Sequence, residues 1–303
     1  MENSVKTEIK KLKKEKNAII LAHYYAPADV QELADYVGDS YYLAKVAKGT
    51  QADVLVFCGV SFMGESAKIL NPDKVVLMPD LSADCPMAHM ASIDEINVLR
   101  KKFPDLAVVC YINSTAELKC VSDVCVTSSN ALKIVKALKT DNIFFIPDEN
   151  LGRFVASQCP EKNIILNKGC CPLHASVTVQ QLKKAKRLHP NAVVLTHPEC
   201  RKEILELSDH IGSTAEILEY AESCDSEEFI ICTEDGVGYP LSRHNPNKRF
   251  YFVTEQLQCT DMKLNTPEKI LRVLQTGENE ITVSEEKRLR ALMPLDLMLR
   301  MAK

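Results

Sequence analysis

Apolar runs that end in polar residues recur along the chain. Three of them follow one plan and read NAIILAHYY (17–25), LAVVCYIN (106–113) and NAVVLTHPE (191–199). Their apolar residues are consecutive rather than alternating, as in the strands of a parallel sheet that helices cover on both faces. Segments between the runs, such as DVQELADYV (29–37), place apolar residues at helical spacing and predict amphipathic helices. The pattern therefore predicts an α/β fold.

A threefold repeat organises these elements. The three runs superpose at offsets of 88 and 86 residues, and the same offsets relate further strand-like runs and the prolines that precede them. Each unit then closes with a cysteine, and these are Cys85, Cys171 and Cys259, spaced by 86 and 88 residues. Self-similarity at a fixed period is the sequence signature of a repeated structural unit.

The repeat predicts three domains, over residues 1–86, 87–172 and 173–263. Within each domain we expect the order strand, helix, short helix, strand, helix, strand. Units of this size are close to the minimum for an independent hydrophobic core, so we expect them to share an interface. Two further helices within residues 264–303 are expected to pack back on the first domain.

Composition and charge exclude some classes of protein. The 303 residues carry a net charge of −4 with both signs scattered, which gives no basic surface for nucleic acid. No stretch reaches the roughly 20 apolar residues of a membrane span, and the N-terminal segment lacks the apolar core of a secretory signal. Twelve cysteines without such a signal favour thiols or metal ligands over disulfides. We expect a cytoplasmic protein with no membrane or nucleic-acid partner.

Polar side chains end the three repeated strands at two equivalent positions. The first position holds His23, Tyr111 and His197, and the second holds Tyr25, Asn113 and Glu199. A single histidine or tyrosine at a strand end is more often a packing residue, but recurrence in three copies favours function. Ligands of parallel α/β sheets bind at the carboxyl ends of the strands. If the three ends point to a common centre, we expect these side chains to act on one substrate.

Ser40, Ser128 and Thr214 occupy equivalent positions at predicted helix starts. Such residues commonly cap a helix by accepting a hydrogen bond from its first turn, and we expect that role here. Helix N-termini also present free N–H groups and the positive end of the helix dipole. Three of them converging would hold an anion, so the pattern indicates a substrate with carboxylate or phosphate groups.

The three repeated cysteines place one thiol in each unit around the same pseudo-threefold axis. Thiolates are ligands that iron–sulfur clusters and zinc prefer. Three protein ligands with one open position are typical of a catalytic metal, whereas four ligands close a structural site. The spacing of the cysteines leaves both an iron–sulfur cluster and zinc open.

Nine short motifs, in order along the chain, resemble those of the quinolinate synthase (NadA-type) family. They are AHYY, GDS, DCPMA, CYINS, TSSNA, GCCPLH, THPEC, GSTAEI and TEQLQC, and they span nearly the whole chain. The resemblance implies three pseudo-threefold-related αβα sandwich domains with short parallel sheets around a central metal-cluster site, a [4Fe-4S] cluster. It implies an enzyme of NAD biosynthesis that condenses iminosuccinate with dihydroxyacetone phosphate to quinolinate, releasing phosphate and two waters. The enzyme that supplies iminosuccinate would be its functional partner.

The resemblance also implies roles for individual residues. The cluster ligands map onto Cys85, Cys171 and Cys259, which leave the fourth iron open as a Lewis acid. Acid–base catalysis maps onto His23, Tyr25, His174, His197 and Glu199. Substrate contacts map onto His23, Ser40, Tyr111, Asn113, Ser128, His197, Glu199, Ser213 and Thr214.

Cys170 and Cys171 are adjacent, and the repeat alone does not decide which is the third thiol, because the preceding loop differs in length between units. Of the two, only Cys171 is followed by a proline, as Cys85 is. The family's ligand is also followed three residues later by a histidine, here His174. Cys171 is therefore the predicted ligand, and Cys170 is a neighbouring thiol.

Two other interpretations of the thiols stay open. A non-enzymatic iron–sulfur redox protein or iron sensor would need four closed ligands and an output surface, and neither is evident in the sequence. A zinc hydrolase could use the same thiols, but the repeated Ser/Thr helix starts describe an anion site better than a hydrolytic water site. Metal analysis and an assay for quinolinate distinguish the three.

Overall fold

The computed structural model describes residues 2–303, in which strands and helices alternate. The strands are β1 Ala18–His23, β2 Tyr36–Gly38, β3 Val54–Cys58, β4 Val75–Leu77, β5 Ala107–Tyr111, β6 Val124–Val126, β7 Asn142–Ile146, β8 Asn163–Leu166, β9 Val193–Thr196, β10 His210–Ile211, β11 Glu228–Cys232 and β12 Arg249–Phe252. The helices are α1 Glu2–Glu15, α2 Ala28–Leu33, α3 Ser40–Gly49, α4 Ser61–Leu70, α5 Ile93–Lys102, α6 Ala116–Cys120, α7 Ala131–Ala137, α8 Glu149–Ser157, α9 Pro172–Ala175, α10 Val179–Leu188, α11 Lys202–Leu205, α12 Thr214–Ser223, α13 Gly238–His244, α14 Pro267–Thr276 and α15 Glu285–Met301. Short 3-10 helices cover Pro86–His89, Asp235–Val237 and Met262–Leu264.

Within residues 2–303, the strands form three parallel sheets of four strands each. Their orders are β2-β1-β3-β4, β6-β5-β7-β8 and β10-β9-β11-β12. The register repeats with the sequence, and the equivalent partners are Leu21 with Phe57, Val109 with Phe145 and Leu195 with Ile231. Helices cover the sheets, so the predicted fold of three αβα sandwiches with short parallel sheets is confirmed.

The sequence pattern does not predict one strand of each sheet, namely β2, β6 and β10. The helix predicted over 29–37 ends at Leu33, and Tyr36–Gly38 pairs with β1 as the edge strand. These three strands have only two or three residues. Such short segments cannot display a strand period, and unlike β4, which also has three residues, they do not lie in one of the apolar runs that the repeat identifies.

Two sets of repeated charged residues stabilise the backbone of each unit. One set donates from Nζ to carbonyl oxygens at the end of α3, α7 and α12, and consists of Lys74, Lys162 and Lys248. The other accepts an N–H of β1, β5 and β9, and consists of Asp35, Asp123 and Asp209. Helix ends leave backbone groups without helical partners, and these side chains satisfy several of them. Repetition in this chain therefore marks structural positions as well as candidate functional ones.

Apolar side chains bury the sheets in four clusters. The largest joins the first two sheets, with Phe57 and Phe144 among its members. A second lies between the first sheet, α1 and α14. The third sheet has one cluster on each face, and Tyr24 and Tyr25 of the first unit pack against one of them. The first two units thus share a continuous core, as expected for units too small to be independent.

The two C-terminal helices pack in different places. α14 lies on α1 and α2, as predicted, whereas α15 lies mainly on α6 and β6 of the second sheet and also contacts α4. The reason is that Leu295 and Met298 of α15 complete the core shared by the first two sheets. The C-terminal segment therefore joins two units rather than packing on the first alone. The domain boundaries at 86/87 and 172/173 stay a prediction.

No helix within residues 2–303 has both the length and the apolar character needed to cross a bilayer.

Replacing Leu295 by alanine tests the role of α15. Leu295 is fully buried in the shared core, so the cavity left behind is expected to lower the free energy of unfolding by about 2–5 kcal/mol. Met293, on the same helix, is 73% exposed, and Met293→Ala is expected to change the free energy of unfolding by less than about 0.5 kcal/mol. Urea unfolding of both variants measures the difference. Equal losses would contradict the assignment of α15 to the core.

Candidate active site

The carboxyl ends of the three sheets meet around one cavity of about 360 Å³. Its wall includes thirteen of the fourteen predicted site residues, namely His23, Tyr25, Ser40, Cys85, Tyr111, Asn113, Ser128, Cys171, His174, His197, Glu199, Thr214 and Cys259. All three units contribute, so the common centre expected from the repeat exists. A cavity assembled between units and lined by convergent polar groups is the usual setting of a ligand site.

Tyr25 is held by hydroxyl groups on two sides. Its Oη lies 3.0 Å from Oγ1 of Thr214 and 2.9 Å from Oγ1 of Thr233. His23 packs edge-on against its ring at 4.5 Å, and Nδ1 of His23 accepts the N–H of Tyr25 at 3.1 Å. Burial raises the pKa of Tyr25 well above its ordinary value, and the charge of Glu199 adds to that effect. Tyr25 is therefore a neutral phenol at neutral pH.

His174 and His197 flank the Glu199 carboxylate. Nδ1 of His174 lies 2.7 Å from Oε2 of Glu199, and Nδ1 of His197 lies 3.7 Å from the same oxygen. The two imidazole rings stack at 4.7 Å. His174 also reaches Cys171 Sγ at 3.2 Å through Nδ1 and Thr233 Oγ1 at 2.9 Å through Nε2. Acid–base groups and a candidate metal ligand thus form one connected cluster.

Charge in this cluster is concentrated on Glu199. Burial opposes its ionisation, but His197 and His174 outweigh burial and lower the pKa of Glu199 to about 2. Burial lowers the pKa of both His23 and His197 to about 3, although the Glu199 charge acts against this. Burial raises the pKa of Tyr111 well above its ordinary value, and Glu199, to which it hydrogen-bonds, raises it further. Glu199 is therefore a carboxylate among neutral donors and acceptors.

Cys85, Cys171 and Cys259 bring one thiol from each unit to the same cavity, and none of them is in a disulfide. Burial raises the pKa of Cys85 to about 12, with added effects from the charges of Glu199 and Cys259. Burial likewise raises the pKa of Cys171 well above its ordinary value, helped by Glu199 and Cys85. Three thiolates at this place are unfavourable without a compensating cation. A bound metal supplies that charge and releases the thiol protons.

A carboxylate accepts the backbone N–H of each of these cysteines. Asp84 accepts from Cys85 at 2.7 Å, Asp148 from Cys171 at 3.0 Å and Glu234 from Cys259 at 3.0 Å. Asp148 and Glu234 are fully buried. Burial raises the pKa of Glu234 to about 7, against the opposing effect of Lys263, whose Nζ is 2.8 Å away. These hydrogen bonds orient the three thiol-bearing loops.

The donors around the cavity fit a metal in two ways. The thiol set offers three soft sulfur ligands from three units, which suits an iron–sulfur cluster. A second set, Cys171, His174 and Glu199, has ligand atoms within 4.8 Å of one another and offers sulfur, nitrogen and oxygen, as zinc accepts. Cys171 belongs to both sets. The cavity can therefore hold a metal cofactor, and its nature is a separate question.

The helix starts differ in detail from the prediction. Asp39 caps α3 by accepting from the N–H of Tyr42 at 2.8 Å, so Ser40 is the first helical residue rather than the cap. Thr214 is likewise the first residue of α12, and Ser128 lies in the turn before α7. The expected capping roles of Ser40, Ser128 and Thr214 are therefore wrong. All three residues nevertheless line the cavity.

Ser213 is the predicted site residue that does not line the cavity. It caps α12, because its Oγ accepts the N–H of Glu216 at 3.3 Å and its own N–H donates to Glu216 Oε2 at 2.7 Å. Its polar groups are thus used within the helix start.

Asn113 lines the cavity and has a polar atom that is not used in this way. Its Oδ1 is buried, and the part of the chain that the structure describes provides no hydrogen-bond partner for it. Asn113 therefore presents a free acceptor at the cavity.

The residues of the site that escape the sequence prediction include Asp84, Thr233, Asp148 and Glu234. Asp148 follows β7, and Thr233 and Glu234 follow β11, so the rule that ligands gather at strand ends could have identified these three. The repeat could not identify Thr233, because Gly59 and Pro147 occupy the equivalent positions.

The fold and the site define a class of enzyme in which three repeated α/β units enclose one metal-competent cavity. The sequence model of a family described as Quinolinate synthetase A protein matches residues 7–300. A quinolinate synthase of Fusobacterium nucleatum is 53% identical over 298 residues, covering 98% of this chain and 99% of the relative. Quinolinate synthases of Clostridioides difficile and Aquifex aeolicus are 48% and 46% identical, covering 96% and 97% of this chain and 96% and 93% of the relatives.

The chain therefore belongs to the quinolinate synthase family, and the resemblance noted in its sequence motifs is confirmed. Both the coverage and the identity extend over all three repeated units rather than over one of them.

His23 provides a test of burial at the site through pH. Its pKa is about 3 in the folded protein and about 6.5 when unfolded, so only the unfolded chain gains a proton as pH falls below 6.5. The folded state is therefore expected to lose about 1.5 kcal/mol between pH 6.5 and 5 from this residue alone. His23→Asn keeps an acceptor for the N–H of Tyr25 and should remove that part of the loss. Urea unfolding at both pH values measures the loss of stability in each protein. An equal loss in the variant and the wild type would contradict the lowered pKa of His23.

Proposed function

We propose that this protein is a quinolinate synthase that condenses iminosuccinate with dihydroxyacetone phosphate to quinolinate, releasing phosphate and two waters. The observation that carries the proposal is the convergence of three thiols, one from each unit, with an acid–base cluster in one cavity. Membership of the family supports the product, because the relatives are named quinolinate synthase. The reaction belongs to NAD biosynthesis.

We propose a [4Fe-4S] cluster as the cofactor, one per chain, on Cys85, Cys171 and Cys259. The soft sulfur donors and the cost of holding three uncompensated thiolates both support it. When bound, the cluster would supply a Lewis acid at the iron that lacks a protein ligand. Cys170 is outside this set because it does not line the cavity.

The protein's own groups would bind the two anionic substrates. Ser40, Ser128 and Thr214 line the cavity at or near helix starts and can donate hydroxyl hydrogens to carboxylate or phosphate oxygens. The unpartnered Oδ1 of Asn113 can accept from a hydroxyl or imine N–H. Tyr111 places its hydroxyl against Glu199. We include His23, His197 and Glu199 among the substrate contacts on the same grounds.

Proton transfers would use the cluster of Tyr25, His174 and Glu199, with His23 and His197 beside it. Isomerisation, imine formation and dehydration each move protons, so several acids and bases must reach one substrate. The neighbours of Glu199 keep it ionised and able to accept a hydrogen bond, whereas Tyr25 is held as a neutral hydroxyl. A carboxylate and a neutral acid within one hydrogen-bonded set can serve opposite steps.

The biological setting follows from the substrates. We propose a functional link to the enzyme that supplies iminosuccinate, because an imine hydrolyses in water and benefits from prompt use. The free cysteines of this chain suit a reducing compartment, and we propose the cytoplasm.

Zinc is the second candidate for the metal, because Cys171, His174 and Glu199 place their ligand atoms within 4.8 Å. That set would use up His174 and Glu199, which then could not act as acid and base. A redox or sensor role is the alternative without catalysis. We favour the cluster because it leaves the acid–base groups free.

Metal content and product formation, measured on one sample, test the proposed function. Protein purified without oxygen is expected to be brown, to contain about four iron and about four sulfide per chain, and to form quinolinate from the two substrates. A colourless protein with one zinc per chain would overturn the cluster. An iron–sulfur protein that forms no quinolinate would favour the sensor.

The paired cysteines provide a matched comparison of variants. Cys171→Ala is expected to abolish cluster assembly and activity, because Cys171 lines the cavity, whereas Cys170→Ala should keep both within about twofold. Iron and sulfide analysis, the visible spectrum and the quinolinate assay measure the outcome. The reverse result would move the ligand to Cys170 and weaken the repeat on which the ligand set depends.

A further inference from the structure

The wall of the cavity carries acidic side chains but no basic ones. Within residues 2–303, no lysine or arginine lines it, whereas Asp39, Asp84, Glu199 and Asp261 do. The two histidines whose pKa is about 3 are neutral at neutral pH. Two anionic substrates in this cavity would meet hydroxyl groups and carboxylates. A lysine or arginine can therefore act on them only from behind the wall.

Lys119 is a fully buried cation directly behind that wall. It lies in α6, and its Nζ donates to the carbonyl oxygen of Ser114, the residue after Asn113. The ammonium also faces the ring of Phe62, whose centroid is 5.5 Å from Nζ. Asn113 and Phe62 both line the cavity. The charge of Lys119 thus lies behind two residues of the wall.

The ammonium of Lys119 has no carboxylate partner in the part of the chain that the structure describes. Its charge acts on Cys110. Burial opposes the ionisation of this thiol, but a hydrogen bond with Cys125 and the Lys119 charge lower its pKa. Sγ of Cys110 donates to the carbonyl oxygen of Tyr111 at 3.4 Å, a bond that needs the thiol hydrogen. The buried cation is therefore left without a counter-ion, which is unfavourable until an anion binds nearby.

Lys263 shows that a lysine close to the cavity does not by itself supply a free charge. Its Nζ donates to the carbonyl oxygen of Tyr25 at 3.0 Å. The same Nζ lies 2.8 Å from Oε1 of Glu234 and 2.8 Å from Oδ1 of Asp235. These acidic partners offset the charge of Lys263. Lys119, by contrast, keeps a charge that a ligand can use.

We propose that Lys119 is a specificity-determining residue whose buried charge attracts the anionic groups of the substrates through the wall formed by Asn113 and Phe62. The ligands that it favours are small dianions, such as a dicarboxylate or a phosphate monoester. A charge in the interior acts over distances at which water and salt would screen a surface charge. This inference rests on the proposed function, which supplies the two anionic substrates.

The repeat provides a variant that separates the charge from structural support. Gln31 occupies the position equivalent to Lys119, 88 residues earlier. Its Nε2 donates to the carbonyl oxygens of Tyr24 at 2.9 Å and Ala26 at 2.8 Å, in the loop that follows β1. A neutral amide thus supports the strand-end loop in the first unit. Lys119→Gln keeps a donor for the Ser114 carbonyl and removes the charge, whereas Lys119→Met removes both.

Steady-state kinetics of the cluster-loaded enzyme test the role of the charge. Lys119→Gln is expected to raise KM for both substrates about 10-fold with kcat within about threefold, because the charge contributes to binding. Lys101→Gln removes the same charge from the exposed surface of α5, where water and salt screen it, and should keep KM within about twofold. A Lys119→Gln enzyme with the wild-type KM for both substrates would overturn the inference.

A second measurement does not need turnover. Quinolinate carries two carboxylates, and calorimetric titration of the cluster-loaded protein with it gives a dissociation constant. Both Lys119→Gln and Lys119→Met are expected to bind it about 10-fold more weakly than the wild type, with the iron content of Lys119→Gln unchanged. Weaker binding in Lys119→Met alone would assign Lys119 to loop support and overturn the inference. If Lys119→Met does not fold, Lys119→Gln decides alone.

The two measurements also separate this inference from the proposed function. If the wild type forms no quinolinate but binds it more tightly than Lys119→Gln does, the proposed reaction fails and the role of the charge stands. If the wild type is active and Lys119→Gln retains its KM and its affinity for quinolinate, the role of Lys119 alone fails. A wild type that neither forms nor binds quinolinate would overturn both.

Discussion

The Glu199 carboxylate is a buried charge around which the rest of the site is arranged. A buried charge is strongly unfavourable unless it is paired and hydrogen-bonded. Here His174 and His197 flank it, Tyr111 hydrogen-bonds to it, and Asn150 donates to its backbone carbonyl at 3.0 Å. Tyr111 and Asn150 belong to the second sheet and its helix, and the charge itself to the third unit. The packing of the second and third units therefore brings together groups that compensate this charge.

The hydrogen bonds that orient the cysteine-bearing loops also connect these loops to the candidate catalytic residues. The carboxylates of Asp84, Asp148 and Glu234 orient the loops that carry the three thiols. Lys263 pairs with Glu234 and also donates to the carbonyl of Tyr25 at 3.0 Å. A thiol-bearing loop of the third unit is thereby connected to a catalytic candidate of the first. Such supporting hydrogen bonds orient metal ligands, and their loss typically lowers metal affinity or activity about 10- to 100-fold.

Much of the fold follows from periodicity, and what does not follow has an identifiable cause. The other nine strands of the sheets, the helices between them and the cysteines at the ends of the units are evident in apolar runs and repeated offsets. The edge strands β2, β6 and β10 are too short for any period. Asp39 and Ser213 each lie one residue before the predicted cap. Their side chains accept the N–H groups of the first turns of α3 and α12, so they are the N-caps. α15 packs on the second sheet because Leu295 and Met298 belong to the hydrophobic core that the first and second sheets share.

The sequence by itself determined the three α/β units, the strand ends that carry polar residues and the cysteines that recur with them. Tertiary structure decided which repeated residues form the site. Lys74, with its two counterparts, repeats as regularly as His23 does, yet it satisfies helix-end carbonyls whereas His23 lines the cavity. Thr233 does not repeat, yet it joins Tyr25 to His174. The reason is physical, since a repeat records equivalent positions within a unit, whereas a hydrogen bond between units depends on how they pack.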